Sequence, residues 1–372
     1  MAATKWSEDM VWVKNTTKKA FAEYIEKKKV VLICAGKKIE DFLNEYSGVQ
    51  FDVVCVIDNY KAGTIISIKN STLKVQAFSQ VAEEITNAVL IITSKRYCDA
   101  IVKQMDELHL FNNCAVYIPE LFEDDFSPFQ FVKTMEIVPR KIHYCWFGRG
   151  EIPEKFKDNI ESWKRFCPDY EITRWDEDNY DVNKCLYMKQ AYEAKSFGFV
   201  PDYARLDIIY THGGIYLDVD VEMLRPWDTL LSYPLFCGYE NREYVAFGLG
   251  FGACKRNAII KEMMEDYERM EFEKNNGRDK KPVPSPAHQT RILRSHGLLC
   301  DGQSKDYGDY LVLAPKYFAP VNIQKGITRP YEDSFSIHQY AGTWLDDDEN
   351  IKKDSAIRKY SFLMKHMIED GD

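Results

Sequence analysis

Residues 213–222, Gly-Gly-Ile-Tyr-Leu-Asp-Val-Asp-Val-Glu, constrain the fold of this chain more than any other stretch. Apolar and polar residues alternate along it with the period of a half-buried β-strand. Ile215, Leu217, Val219 and Val221 would enter a core, while Tyr216, Asp218, Asp220 and Glu222 would share the opposite face. Same-face neighbours on a strand stand ~7 Å apart. Two carboxylates at that spacing are costly unless something positive lies between them. The pattern therefore predicts a strand with a cation-seeking face.

The rest of the composition narrows what surrounds that strand. With 372 residues, 45% hydrophobic and 14% aromatic, the chain can build a large core, and its length suggests two domains or slightly more. A net charge of -9 argues against bulk attraction to nucleic acid or anionic membrane. The ten cysteines are scattered and no two form a CxxC pair, so zinc-ribbon spacing is absent. They read as buried thiols in a reducing cytoplasm. Met1 to Lys14 does not resemble a signal peptide. No apolar run approaches the ~20 residues of a membrane helix, so no transmembrane segment is expected.

Two blocks meet near Phe126-Ser127-Pro128, giving expected domains at 1–126 and 127–372. In the first, apolar runs at 29–36, 51–57, 88–92 and 115–118 alternate with helical stretches, which implies a parallel α/β sheet. This block resembles the small Rossmann-like domain fused to several sugar-modifying enzymes. Only Ala35-Gly36 stands where a dinucleotide binder would show GxGxxG, so a scaffold or oligomerisation role is preferred. In the second block, residues 140–148 form a short strand delivering His143 and Trp146 to a loop. Pro201 opens a helix that stops at Gly213-Gly214, directly before the acidic strand. A loop is expected over 274–286, and a charged helical tail from about 346. Phe247 to Gly252, with glycines alternating with bulky residues, reads as a place of close backbone approach rather than a phosphate loop. His288 and Gln289 would line the acceptor side.

Asp218 and Asp220 suit a hard divalent cation such as Mg²⁺ or Mn²⁺. Alone, D-x-D is common on solvated strand ends. Asp202 and Arg205 change its weight, because they share one helix face at i and i+3 and their helix leads straight into the strand.

Together, residues 141–148 (KIHYCWFG), 201–207 (PDYARLD) and 213–220 (GGIYLDVD) resemble the DXD-containing sugar-binding region of glycosyltransferase family 32. Residues 336–344 (SIHQYAGTW) look like that family's late His-Trp element, with Gln339-Tyr340 in place of the more usual His-Trp. The resemblance implies a GT-A type domain, a mixed sheet flanked by helices, behind the Rossmann-like domain. It further implies a nucleotide-diphospho-sugar donor (UDP-sugar before GDP-sugar), Mn²⁺ or Mg²⁺, retention of anomeric configuration, and a glycan or lipid-linked glycan acceptor, as in capsule or O-antigen assembly at the inner membrane face. Carried onto this sequence, Asp202, Arg205, Asp218 and Asp220 would be catalytic, and His143, Trp146, Tyr216 and Trp344 would lie on the donor. Asp220, Asp218 and His338 would hold the metal. Competing readings are a HAD-type phosphatase using Asp218 and Asp220, whose motif also ends an apolar strand in D-x-D, and a non-catalytic sugar-nucleotide-binding protein.

Overall fold

The structure, a computed structural model, describes residues 12–68, 71–81, 88–94, 96–108, 115–123, 125–132, 134–272, 283–322, 327–328, 330–342 and 367–369. The chain forms two compact units. One comprises Met1–Asp125, Gln324–Gly326 and Lys352–Asp372; the other comprises Phe126–Ile323 and Ile327–Ile351.

The first unit contains β1 (Trp12–Asn15), α1 (Lys18–Ile25), β2 (Lys29–Ile33), α2 (Lys38–Glu45), β3 (Asp52–Ile57), β4 (Ile65–Ile68), β5 (Ser71–Gln76), β6 (Val89–Ile92), α3 (Cys98–Glu107) and β7 (Ala115–Tyr117). A strand near the C-terminus, Met367–Glu369, pairs in parallel with β1. That strand is the described part of the tail expected to be helical; the remainder lies outside the described residues. The sheet is parallel apart from the β4–β5 hairpin, and β2 is fully buried after its first residue, as a strand covered on both faces must be. The run β5-β3-β2-β6-β7 puts a topological switch point between β2 and β6. Next to it, at the ends of β2 and β3, the chain binds itself. Asp58 Oδ2 accepts from Ala35 N at 2.8 Å, Oδ1 accepts from the backbone of Tyr60 and Lys61, and Lys61 Nζ donates to Ala35 O.

The second unit contains β8 (Lys141–Cys145), α4 (Glu154–Phe166), β9 (Glu171–Trp175), α5 (Leu186–Glu193), α6 (Pro201–His212), β10 (Gly214–Tyr216), β11 (Val221–Met223), β12 (Leu235–Gly238), β13 (Phe251–Ala253), α7 (Ala258–Glu268), α8 (Ser285–Ser295), β14 (Lys305–Asp306), β15 (Leu311–Leu313), α9 (Pro315–Phe318), β16 (Val321–Asn322), β17 (Ile327–Thr328) and β18 (Ser336–His338). Its main sheet has the order β14-β15-β12-β13-β10-β8-β9. β9, β8, β10, β12 and β15 run one way, and β13 and β14 run against them. One hydrophobic core packs α5, α6, α7 and α8 on one face of this sheet, and a second packs α4 and α9 on the other. A mixed sheet flanked by helices is what the GT-A expectation requires. Open α/β sheets bind ligands beyond the carboxyl ends of their strands. Here that edge carries Trp146 after β8 and Asp218 after β10.

The acidic segment is not one strand. β10 stops at Tyr216, where its pairing with Phe251 and His143 ends. A turn follows, closed by Val221 N donating to Asp218 O at 3.1 Å, and β11 then joins a separate ladder with β18. Alternation survives on either side, but the ladder partner changes between them. The expected loop also ends early: residues 273–282 lie outside the described residues, and Ser285 already begins α8.

Candidate functional site

The site begins with α6. Pro201 sits in its first turn and Gly213 ends it at φ 65°, a conformation glycine adopts without strain. On this helix Asp202 and Arg205 are each only 4% exposed. Arg205 Nη2 donates to Asp202 Oδ1 at 3.0 Å, Nε donates to Pro201 O at 3.0 Å, and Nη1 lies 3.7 Å from Asp218 Oδ2. Tyr216, fully buried, donates its hydroxyl to Asp218 Oδ1 at 3.0 Å. Arg205 therefore sits beneath the D-x-D turn and links Asp202 to Asp218.

The turn is held from the other side by α4. Asn159 Nδ2 donates to Val219 O, Trp163 Nε1 donates to Val221 O, and Ser162 Oγ accepts from Met223 N. β18 adds the third wall. Asp220 Oδ1 is 3.2 Å from His338 Nε2, and Oδ2 accepts from Ala341 N at 3.0 Å. Gln339 closes the arrangement: its N–H donates to Asp220 O and its side chain to Asn159 Oδ1. Tyr340 packs edge-on against the His338 ring at 4.3 Å. The Gln339-Tyr340 departure thus fastens the late element to both α4 and His338.

The electrostatics separate the two aspartates. Burial raises the Asp218 carboxyl; Arg205 opposes that and the neighbouring Asp220 adds to it. Burial acts on Asp220 too, but His338 and the Ala341 N–H outweigh it and hold that carboxyl below its ordinary value. Burial pushes Asp202 up to about 6, against the pull of Arg205. Burial disfavours charge on Arg205, yet Asp218, Tyr216 and Asp202 more than offset it, so the guanidinium stays charged. His338 is raised: burial opposes its charge, and Asp220 overcomes that.

Asp218, Asp220 and His338 each offer a ligand atom, all within 4.8 Å of one another. Asp218 keeps 28% of its side chain exposed, so the group is open on one side. His338 Nδ1 is buried with no hydrogen-bond partner, which leaves the Asp220 carboxylate as the only group described that bonds the ring. Two carboxylates and an imidazole converging this way fit a Mn²⁺- or Mg²⁺-type ion, which would relieve their mutual repulsion.

Some expected site residues stand elsewhere. His143 does not join the cluster. It is buried, with Nε2 bonded to Gly213 O at 3.0 Å and Nδ1 taking the Trp175 indole N–H at 3.2 Å, and burial lowers it to about 4. Both ring nitrogens are engaged, so it braces the β8–β10 edge rather than facing a donor. Tyr216 touches Asp218 with its hydroxyl and has no exposed surface. Trp146 is half-buried after β8, its indole N–H bonded to Gly150 O. Trp344 lies outside the described residues.

Other contributors went unseen in the sequence. Asn159, Ser162 and Trp163 are one; the signal was polar residues inside the apolar stripe of α4. Gly248 lies in the stretch read as a place of close backbone approach, and the sequence did not say what approaches: a Cβ there would stand 2.7 Å from Asp218 Oδ2 and 3.3 Å from Arg205 Nη1. Glu240 follows β12 at the same sheet edge, where burial raises its carboxyl and its charge acts on His338.

Residues 153–236 match the family described as glycosyltransferase sugar-binding region containing DXD motif. Inositol phosphoceramide mannosyltransferase 1 of Schizosaccharomyces pombe is 30% identical over 130 residues, covering 30% of this chain and 39% of the relative. Inositol phosphoceramide mannosyltransferase 3 of the same yeast is 34% identical over 101 residues, covering 26% and 28%. The match thus spans well under half the length of these relatives. Among solved structures, the PaToxG glycosyltransferase has a TM-score of 0.34 at 17% identity, covering 43% of this chain and 70% of that one. A glycosyltransferase involved in glycosylation of the major capsid of PBCV-1 has a TM-score of 0.32 at 12% identity, covering 58% and 98%. The matched segment contains Asp202, Arg205, Tyr216, Asp218 and Asp220 and stops short of Trp146 and His338. Over residues 153–236 the chain is thus similar to the sugar-binding region of the DXD-motif glycosyltransferases.

Proposed function

We propose that this chain is a metal-dependent, retaining glycosyltransferase that moves a hexosyl group from a nucleotide-diphospho-sugar to a glycan or lipid-linked glycan. The observation that carries the reading is the convergence of Asp218, Asp220 and His338 at the carboxyl edge of the sheet, above the buried Asp202–Arg205 pair. A bound Mn²⁺ or Mg²⁺ would supply positive charge to the diphosphate as it leaves. Asp220 and Asp218 would hold it, with His338 completing the protein's share. Arg205 holds Asp218 in place, favours its charged form and adds fixed positive charge to the site, where charge grows on the leaving group. Asp202, close to Arg205 and part-way to neutrality, accepts or donates at a sugar hydroxyl. Trp146 stacks on the base. The transition state at the sugar is oxocarbenium-like, which favours a carboxylate such as Asp202 nearby.

UDP-sugars are the preferred donors and GDP-sugars the next. The names of the yeast relatives place mannosyl donors on the panel as well. Acting on a growing glycan from the cytoplasmic side fits the nine free cysteines among the described residues and the absence there of a helix able to cross a membrane.

The test is donor hydrolysis. Full-length protein with Mn²⁺ and a panel of UDP- and GDP-sugars should slowly release free sugar from one of them, and EDTA should stop the release. Phosphate release from small phosphoesters instead would establish the phosphatase reading. Metal-dependent donor binding without turnover, even with p-nitrophenyl glycosides supplied as acceptors, would establish a binding protein.

A further inference from the structure

On α7 and α8, which share a core with α6, two buried polar groups have no partner among the described residues: the Gln289 side-chain nitrogen and the Tyr267 hydroxyl. Gln289, on α8, is 1% exposed, and its Oε1 accepts from Phe247 N at 2.9 Å. That bond decides which way the amide faces, because turning it over would set two donors against each other. Nε2 is therefore committed to the opposite side. Ser285, four residues earlier on the same face of α8, hydrogen-bonds the Asp202 carboxylate. Phe247 leads into Gly248, whose missing side chain leaves room for Asp218 and Arg205. Gln289 is thus tied through Phe247 to the Gly248 segment and shares its helix face with Ser285.

Tyr267 comes from α7 and is also 1% exposed. Its ring packs edge-on to Tyr187 at 5.0 Å and lies 5.4 Å from His288. Tyr187 in turn points its hydroxyl at Asp202 Oδ2, 3.4 Å away, and Asp202 and Arg205 both act on the Tyr267 hydroxyl. A buried donor without an acceptor costs stability, and here two such donors stand on helices that share a core with the helix of Asp202.

We infer that Gln289 Nε2 and the Tyr267 hydroxyl read the hydroxyl groups of the donor's hexosyl ring, with Asp202 as the third contact. This rests on the glycosyltransferase reading and deepens it by naming specificity residues. Two donors and one carboxylate in a buried wall discriminate between sugars that present their hydroxyls differently, because a wrong epimer leaves the wall unpaired. The chemistry recognised is the sugar, not the nucleotide.

The test uses Tyr267→Phe and Gln289→Glu in the full chain with Mn²⁺, titrated with UDP, GDP, UDP-glucose and GDP-mannose. The Tyr267→Phe change deletes only the unmatched hydroxyl. It should leave affinity for the nucleoside diphosphates within twofold and weaken the preferred sugar nucleotide by about fivefold to tenfold. The melting temperature without ligand should hold or rise, since an unsatisfied buried group is gone. The Gln289→Glu change keeps an acceptor for Phe247 N and removes the free donor, so it should show the same loss confined to the sugar nucleotide. The inference is overturned if sugar-bearing and sugar-free affinities fall together or not at all, or if melting falls while affinity stays. Wild-type protein that binds none of the four would bring down the glycosyltransferase reading itself, and this inference with it. Wild-type binding matched by both variants would bring down this inference alone.

Discussion

Both units of this molecule end parallel strands in an aspartate at a sheet's carboxyl edge, yet they use it in opposite ways. In the first unit Asp58 follows β3, where a dinucleotide binder keeps an acid for the ribose. Its two oxygens are taken up by the backbone N–H groups of Ala35, Tyr60 and Lys61. In the second unit Asp218 and Asp220 face each other, with Arg205 on one side and His338 on the other. The first arrangement is satisfied without a ligand; the second leaves like charges together and improves when a cation arrives. A shared α/β topology therefore marks where a site would be, and only the pairing of side chains says whether it is one.

The sharpest way to break this contrast is to neutralise one aspartate in each unit. On the proposed reading, Asp220→Asn should reduce metal-dependent donor turnover on the order of a thousandfold, because it would remove a metal ligand and its charge from the leaving-group side. Circular dichroism should stay native. Asp58→Ala should leave turnover within twofold and cost about 2 kcal/mol of stability from the lost hydrogen bonds, read by urea unfolding. Turnover lost through Asp58, or kept without Asp220, would reverse the assignment of roles.

The second unit's strain also has a pH signature. Burial pushes Asp202 up to about 6 from an ordinary 3.8, with Arg205 pulling it down and Asp218 pushing it further up. Since the folded value lies above the unfolded one, the folded chain holds an extra proton between those limits. Stability from this group therefore rises as pH falls through about 6 to 4, and the cost is fully present above about 6. Two pH units correspond to at most about 3 kcal/mol. Metal-free wild type should gain up to that amount on Asp202→Asn between about pH 6.5 and 4, measured by denaturant unfolding. Parallel pH curves would mean that Arg205 keeps the carboxylate ionised throughout.

Much of this site was readable from residue order, and the rest was hidden for definable reasons. The alternation of apolar and polar runs announced both α/β blocks. The spacing of Asp202, Arg205, Asp218 and Asp220 announced a helix feeding an acidic edge. Alternation could not reveal that the edge turns after Leu217, because it records which face a residue takes and not which strand it pairs with; pairing with β13 ends at Tyr216, opposite Phe251, and pairing with β18 begins afresh at Val221, opposite His338. His143 was drawn into the donor site by its place in a motif. The Gly213 carbonyl and the Trp175 indole that occupy its ring are 70 and 32 residues away in the chain. Gln339 likewise gained a purpose only when Asn159, 180 residues earlier, was seen to receive it.

Two glycines give the gentlest test of the contrast. At Gly248 an added methyl would meet Asp218 Oδ2 at 2.7 Å, and that oxygen has little room to yield because Arg205 and Tyr216 grip the same carboxylate. Gly248→Ala should therefore weaken metal-dependent donor binding by about tenfold, the equivalent of roughly 1.4 kcal/mol. Gly36 holds the turn after β2, where a nucleotide-binding loop would need its bare backbone against the pyrophosphate. An added methyl there meets nothing within 4 Å. Gly36→Ala should leave donor binding unchanged and add about 0.4–1 kcal/mol of stability by restricting the unfolded chain. Isothermal titration of both variants with the same sugar nucleotide decides the matter. A loss at Gly36 as large as that at Gly248 would show that a ligand approaches the first unit's crevice after all, and that Asp58 exchanges its backbone partners when one does.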